Sequence, residues 1–224
     1  MKELKVRLTT TEGMLGTKPA DSEIYKRFVA GKAPDAKTTE EEVAEIGVDE
    51  VVERSMTIFP RLEDGTPFIY NYQVEGFFKD SCGALQRLTV KGEDGKKKPV
   101  NESGKLTAYK KVLDGLIFVK ERKIPIKFEG EITTCQRPLR AQTAQGERVS
   151  LAMSEEIPAG ATMEFTVVCF DDNHIPAVKE WLNYGMWRGL GQWRNSGKGR
   201  YLWDELDSNG NVIGGNNGGN TTRK

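Results

Sequence analysis

The sequence is nearly without histidine, since His174 is the one imidazole among 224 residues. The three cysteines, Cys82, Cys135 and Cys169, are odd in number and widely spaced. They make neither a disulfide framework nor a C-x-x-C metal pair, and we expect buried free thiols. With one histidine and scattered thiols, no metal and no cofactor are expected. No G-x-S-x-G surrounds any serine, and no Walker lysine motif exists.

Long apolar runs and a surplus of charge of one sign are missing too. Nothing approaches 18 consecutive apolar residues, and the N-terminus lacks the apolar core of a signal peptide, so we expect no membrane contact and a cytoplasmic location. Net charge is zero, which argues against a general polyanion binder. Residues 1–80 carry 11 Lys and Arg against 16 Asp and Glu, whereas residues 81–224 carry 22 against 17. The basic half could face a phosphate backbone, although a solvated mixed surface explains the same counts.

The most informative stretch is GLGQWRNSGKG at residues 189–199, where two Gly-x-Gly pairs bracket five residues. Glycines allow positive φ and close approach of a ligand, and free N–H groups in such a loop form anion-binding nests. The loop follows a helical pattern and precedes a strand pattern, the reverse of a dinucleotide-binding loop. Nearby cations and flat aromatic faces favour a nucleic-acid strand as ligand. The candidate RNA-binding residues are Gly189, Gly191, Trp193, Arg194, Asn195, Ser196, Gly197, Lys198, Gly199 and Arg200, flanked by Trp187 and Arg188.

Hydropathy patterning indicates mixed α and β structure. Strands are predicted over residues 3–9, 116–119, 124–128, 163–169 and 200–206. Helices are predicted over 74–88 and 106–113 and along the apolar stripe 175–186. This order permits an α+β, ferredoxin-like (RRM-like) β-α-β-β-α-β core with large insertions and a C-terminal glycine-rich loop.

One domain is expected over residues 1–206, with insertions over about 11–61 and 89–150. The first insertion contains an acidic run and is expected to be partly helical from Glu40 to Arg54. Residues 129–150 are rich in Gln and Arg and favour a hairpin or flap. The segment 207–224 is low in complexity, which predicts a disordered tail.

Taken in order, these stretches resemble the RAMP superfamily of CRISPR-associated RNA-binding proteins. Its members share a ferredoxin-like fold and a loop of the form G-h-G-x-x-x-x-x-G-h-G after the last helix, where h is hydrophobic. The stretch 189–199 has that spacing, and Lys198 departs at the second hydrophobic position. Four further stretches are similar to the guide-RNA-binding backbone subunits of class 1 effector complexes: VRLTTTEGMLGT (6–17), DGTPFIYNYQVEGFFKDSCGALQRL (64–88), RPLRAQTAQGERVSLAMSEEIPAGATMEF (137–165) and AVKEWLNYGMWRGLGQWRNSGKGRYLW (177–203).

The resemblance implies a non-catalytic subunit that holds a guide RNA in a CRISPR-like antiviral ribonucleoprotein. Its expected partners are single-stranded RNA and other copies of itself or other RAMP subunits. Residues 120–148 are the candidate thumb or flap, and the resemblance adds Lys79, Arg137, Arg140 and Arg148 to the RNA-binding set.

Two other functions stay open. One is a divergent RAMP homologue carried by a mobile element, which would inhibit a CRISPR complex. The loss of most of the family's IPGSSLKG motif, of which Gly76 and Lys79 survive, and the acidic 35–53 region make this plausible. The other is a metal-independent endoribonuclease that processes guide RNA.

The candidate catalytic residues are His174 and Asp21. A histidine often serves as general acid or base in guide-processing RAMP endonucleases, but His174 lies far from that position in sequence. A surface histidine beside a helix start, with its polar tip in water, is the better interpretation. In backbone subunits that cut target RNA, the catalytic residue is an aspartate in the loop after the first strand. Asp21 is the positional candidate and Asp35 the second, though ordinary loop carboxylates explain both. Assisting groups would come from Tyr25, Tyr70, Tyr72, Lys79 or Arg194.

Overall fold

The computed structural model describes residues 1–20, 56–91, 96–143 and 146–216. Asp21, Tyr25, Asp35 and the helix predicted over Glu40–Arg54 lie outside this part of the chain. The described elements are, in chain order, β1 (Lys2–Thr10), β2 (Met14–Leu15), β3 (Lys18–Pro19), β4 (Thr57–Ile58), β5 (Phe68–Tyr70), α1 (Asn71–Leu85), β6 (Thr89–Lys91), β7 (Lys97–Pro99), α2 (Glu102–Lys105), α3 (Tyr109–Leu116), β8 (Ile117–Val119), β9 (Lys123–Lys127), β10 (Thr133–Thr143), β11 (Gly146–Ile157), β12 (Thr162–Cys169), α4 (Ile175–Arg188), β13 (Tyr201–Leu206) and β14 (Val212–Gly215).

The core is an antiparallel sheet with α1 and α4 packed on one face. Within it, β1, α1, β8, β12, α4 and β13 follow one another as β-α-β-β-α-β, and the strands lie in the order β13–β1–β12–β8. All three neighbouring pairs are antiparallel. This arrangement is ferredoxin-like, so the fold class predicted from the sequence is confirmed. The sheet continues through β14 at one edge and through β9 and β5 at the other.

The central strand β1 owes its place to alternation of apolar and polar side chains. Leu4, Val6 and Leu8 are at most 3% exposed, while Lys5 and Arg7 between them point to the opposite face. Burial on one face only is what a two-layer α+β domain requires of its middle strand.

Aromatic side chains join the two helices to each other and to the sheet. The ring centroids of Phe78 in α1 and Trp181 in α4 lie 5.5 Å apart, and those of Phe77 in α1 and Tyr201 in β13 lie 6.1 Å apart. All four side chains are buried. These contacts fix α1 relative to the end of α4, where the glycine-rich stretch begins.

A second sheet contains the long hairpin of β10 and β11, in the order β10–β11–β4–β3. The hairpin or flap predicted over 129–150 therefore exists, but its second strand continues to Ile157. There Ile157 pairs with Met14 of β2. Because β2 comes soon after β1, the base of the hairpin lies beside the end of the central strand.

The C-terminal segment differs from the disorder expected over 207–224. Val212–Gly215 form β14, which pairs with β13. The turn before it is closed by the Asp207 carboxylate, which accepts the N–H groups of Asn209 and Asn211. An edge strand needs backbone pairing rather than an apolar sequence, so low complexity does not exclude it. The expectation fails over 207–216, and residues 217–224 lie outside the described part.

His174 is not the surface histidine that its neighbours suggest. It is 8% exposed, and its Nδ1 is buried with no hydrogen-bond partner in the described part of the chain. It ends a 3-10 turn in which the Asn173 N–H donates to the Asp171 carboxylate. This turn leaves Asp171 and Asp172 in water and directs the imidazole inward, which a sequence reading of the helix entrance does not reveal.

The three thiols are free, as expected, with Cys82 and Cys169 buried and Cys135 half-buried. Burial raises the pKa of the Cys82 and Cys169 thiols to about 11. Both are therefore protonated at neutral pH and act as small apolar side chains.

Candidate nucleic-acid interface

The glycine loop, Gly189–Gly199, is closed by pairing of its two Gly-x-Gly stretches. The Leu190 N–H donates to the Gly199 carbonyl over 2.9 Å, and the Gly199 N–H donates to the Gly13 carbonyl over 2.9 Å. A Cβ atom at Gly199 would lie 1.9 Å from the Leu190 carbonyl oxygen. The five residues between the pairs, 192–196, therefore project from a closed base beside the end of β1.

Backbone N–H groups of the loop are largely used by the loop itself. Those of Ser196 and Gly197 donate to the carbonyls of Trp193 and Arg194, each over 3.0 Å. Together with the pairing at Leu190 and Gly199, these bonds remove the donors that an anion-binding nest would offer. The expectation of free backbone N–H groups is wrong for these four residues, and recognition of an anion at the loop depends on side chains.

Two arginines of the loop region share one carboxylate. Arg188 Nε lies 3.1 Å and Arg194 Nη1 2.8 Å from Asp80 Oδ2 of α1. Arg188 Nη1 also donates to the Asn195 side-chain oxygen over 2.9 Å. Two positive charges against one negative charge leave this cluster net positive. Beside it is a cavity of about 300 Å³ lined by Arg188, Gly191, Gln192, Trp193, Arg194 and Asn195.

Arg137 of β10 lies against the same loop. Its Nη2 donates to Gln192 Oε1 over 2.6 Å, and its Cζ lies 5.6 Å from the centroid of the Trp193 ring. Its Nε and Nη1 are buried without a hydrogen-bond partner among the described residues. Buried charged donors without acceptors are costly, and Trp193 adds an unfavourable positive φ of 51°. Strain and orphaned donors therefore coincide at one place on the loop.

The other cations predicted to bind RNA have partners within the fold. Lys198 Nζ lies 2.5 Å from Glu156 of β11, and this hydrogen bond raises the pKa of Lys198. Arg200 Nε donates to the Trp187 carbonyl over 3.0 Å. These contacts tie the loop to the hairpin and to α4.

Three predicted residues are not brought to the loop by described contacts. Lys79 of α1 is paired with Asp114 of α3. Arg140 and Arg148 lie on neighbouring backbone positions near the tip of the hairpin, and their side chains are outside the described part. Their assignment to RNA binding stays a prediction.

A pair of stacked tyrosines is linked to the glycine loop through hydrogen bonds, and sequence analysis named these tyrosines only as assistants to cleavage. Tyr70 and Tyr72 stack with centroids 5.1 Å apart and an interplanar angle of 16°. Hydrogen bonds connect them to the glycine loop. Gln192 Nε2 donates to the Gly16 carbonyl over 2.9 Å, and on the next residue the Thr17 hydroxyl accepts from Gln73 Nε2 over 2.6 Å.

The open face of the sheet offers a different surface. RRM domains stack bases on aromatic side chains at the middle of this face. Here its middle carries an ion pair between Arg7 of β1 and Glu164 of β12, with Nε and Oε1 2.8 Å apart. The exposed rings of Phe118 and Phe170 lie at the β8 end. The arrangement of the face thus differs from that of an RRM.

His174, the catalytic candidate that lies in the described part of the chain, is not at the loop. His174 precedes the first residue of α4 and the loop follows its last residue, a separation of roughly 20 Å for a helix of this length. Among the described residues, no three His, Cys, Asp or Glu side chains are grouped so that they could hold a metal ion. No described helix is both long enough and apolar enough to span a membrane.

Comparisons with known proteins give a structural neighbour and no family. No family model matches the chain, and no curated protein matches it. Among solved structures, the chain is similar to one in the cryo-EM structure of the Type III-B Cmr-beta bound to cognate target RNA, with 11% sequence identity and a TM-score of 0.47. The match covers 92% of the present chain and 60% of the other, so the chain spans about three fifths of that neighbour's length.

Closure of the glycine loop predicts a difference between two glycines that both have positive φ. At Gly210, with φ +85°, an added Cβ meets no atom within 4 Å, whereas at Gly199, with φ +71°, it meets the Leu190 carbonyl. Gly210→Ala is expected to lower the free energy of unfolding by about 1–2 kcal/mol, the cost of a left-handed alanine. Gly199→Ala is expected to lower the free energy of unfolding by more than this, because its Cβ would also clash with the Leu190 carbonyl. Urea unfolding of both variants measures the difference. Equal losses would show that the two stretches do not pair.

Proposed function

We propose that this chain binds single-stranded RNA at the glycine loop and serves as a guide-RNA-holding subunit of a CRISPR-like ribonucleoprotein. The observation that carries the RNA-binding proposal is Arg137, whose guanidinium lies against Trp193 with two buried donors unpaired. A guanidinium presents a planar fork that matches two phosphate oxygens. A phosphate oxygen would supply the acceptor that these donors lack once the atoms that cover Nε and Nη1 move aside.

The surroundings of Arg137 suit a nucleotide better than a small anion. Trp193 is 39% and Trp187 70% exposed, so both present aromatic area on which bases can stack. Arg188 and Arg194 of the net positive cluster line the cavity of about 300 Å³ that Trp193 also lines. Stacking on a side chain needs bases that are free of a duplex, which favours a single strand.

A holding role is favoured over cleavage. An endoribonuclease of the metal-independent kind needs a general acid and base that reach the RNA. His174 is buried, and it lies beyond the opposite end of α4 from the loop. No described geometry therefore supports the histidine-dependent alternative.

The assignment to a guide-RNA complex rests on the order of sequence motifs. The ferredoxin-like core, with the glycine loop after its last helix, is compatible with that order of motifs. The hairpin of β10 and β11, which contacts the loop through Lys198 and Glu156, overlaps the candidate thumb region 120–148 and is the part that we propose to act as the thumb. We propose that other copies of this chain, or other RAMP subunits, share the bound RNA.

Arg137→Gln tests the RNA site, because it removes the charge and two of the donors while keeping a long polar side chain. Affinity for a fluorescein-labelled oligouridine strand, measured by anisotropy at several salt concentrations, should fall. The salt dependence should become shallower by roughly 0.7 in log–log slope for one lost phosphate contact. The matched control is Arg7→Gln on the open sheet face, which should bind as the wild type does. Unchanged binding by Arg137→Gln, or equal losses in both variants, would reject the loop as the site.

Asp80→Asn is expected to strengthen binding of the same strand. The amide keeps an oxygen that Arg188 or Arg194 can donate to, but the neutralising charge is gone. One more cation would then face phosphate, and the salt dependence should steepen by roughly 0.7 in slope. Glu164→Gln, which frees Arg7 in the same manner, is the control and should have no effect. Weaker binding by Asp80→Asn would mean that the carboxylate orients the arginines rather than competing with RNA.

A further inference from the structure

A second cavity lies at the start of α1, away from the glycine loop. Its volume is about 260 Å³. Its walls are the rings of Pro19, Pro60, Tyr70 and Tyr72. Thr17, Lys18 and Gln73 complete the lining. None of these described lining residues is acidic. The cavity is thus a mostly apolar slot with one cation at its edge.

The tyrosine wall of the slot is held in place before any ligand arrives. Arg122 places its Cζ 5.5 Å from the Tyr70 centroid and 5.7 Å from the Tyr72 centroid. The same guanidinium donates from Nη1 to the Asn71 side-chain oxygen over 2.9 Å. Tyr72 nevertheless stays 52% exposed. A preformed, exposed aromatic face lowers the entropic cost of stacking a ligand on it.

The chemistry of the slot favours a flat, neutral or anionic ring. Arg122 and Lys18 repel a cationic ligand, and no lining carboxylate among the described residues offsets them. Proline and tyrosine rings make apolar walls, on which a nucleobase stacks without regard to its identity. Lys18, which is exposed, can meet the phosphate that accompanies such a base.

We propose that this slot binds one unstacked nucleobase of the same RNA strand that the glycine loop holds. The inference rests on the proposed function and adds a second contact point to it. A short chain of hydrogen bonds joins the two sites, because Gly16 is bonded to Gln192 of the loop and the adjacent Thr17 is bonded to Gln73 beside the tyrosines. A strand that passes over the side chain of Thr17, which is half-buried next to the buried Gly16, reaches both.

The test compares exposed aromatic residues on two faces. Tyr72→Ala should weaken binding of oligouridine by roughly 5- to 150-fold, the range for loss of one base–aromatic stack. Tyr72→Phe keeps the ring and should restore most of the affinity. Phe170→Ala, with a ring 56% exposed on the other face, is the control and should bind like the wild type. In parallel, a strand containing 5-iodouridine should photocrosslink to the peptide that contains Tyr72, as located by mass spectrometry.

The outcomes separate this inference from the proposed function. If Arg137→Gln weakens binding but Tyr72→Ala does not, the nucleobase slot is wrong and the loop assignment stands. If the wild type binds no single-stranded RNA, the proposed function fails and the slot fails with it. Binding of a proline-rich peptide that depends on Tyr72, with RNA binding unaffected by Tyr72→Ala, would assign the slot to a protein partner and overturn the inference.

Discussion

The end of the central strand is the junction on which the candidate interface depends. Beyond β1, Thr11 donates its N–H to the Arg200 carbonyl over 2.8 Å, and the Gly13 carbonyl accepts from Gly199 over 2.9 Å. These backbone bonds hold the glycine loop to the core sheet at one point. Because the hairpin also starts there, through Ile157 and Met14, the loop and the hairpin keep a fixed relation. Side chains from both can therefore meet one ligand.

Charge pairing decides which part of this surface can attract an anion. Most cations around the loop are engaged with the fold, as Lys198 is with Glu156. Three arginines beside the loop are less completely paired. Arg188 and Arg194 share a single carboxylate, and Arg137 donates from only one of its three side-chain nitrogens to a described acceptor. A protein of zero net charge can in this way present a small positive site without attracting every polyanion. Such a site suits a strand held at defined points.

The sequence predicted what local patterns determine. Alternation over residues 3–9 and 163–169 indicated the two central strands, and the stripe along 175–186 indicated the last helix, because each pattern depends on neighbours in the chain. The helix predicted over 74–88 begins three residues earlier, at Asn71, and ends at Leu85. At the start of the helix, the Gln73 side-chain oxygen accepts the Tyr70 N–H over 2.9 Å. Hydropathy does not encode this contact.

Contacts between distant residues could not be predicted. The glycine spacing located the loop, but Asp80 is 114 positions from Arg194 and Arg137 is 55 positions from Gln192. No periodicity links such pairs, since tertiary packing alone brings them together. The stacked tyrosines were visible as a Tyr-Asn-Tyr sequence, yet Arg122, which completes them, comes from another part of the chain. The burial of His174 likewise follows from the turn before it.

We propose that RNA runs from the glycine loop past Thr17 to the start of α1. Hydrogen–deuterium exchange of the protein with and without bound oligouridine measures this directly, because backbone amides report contact segment by segment. The account predicts slower exchange at residues 189–199 and 15–19 when RNA is bound, with little change on the open face of β1 and β12. The proposal would be contradicted if RNA bound while exchange stayed unchanged in both segments and slowed only in β1 and β12.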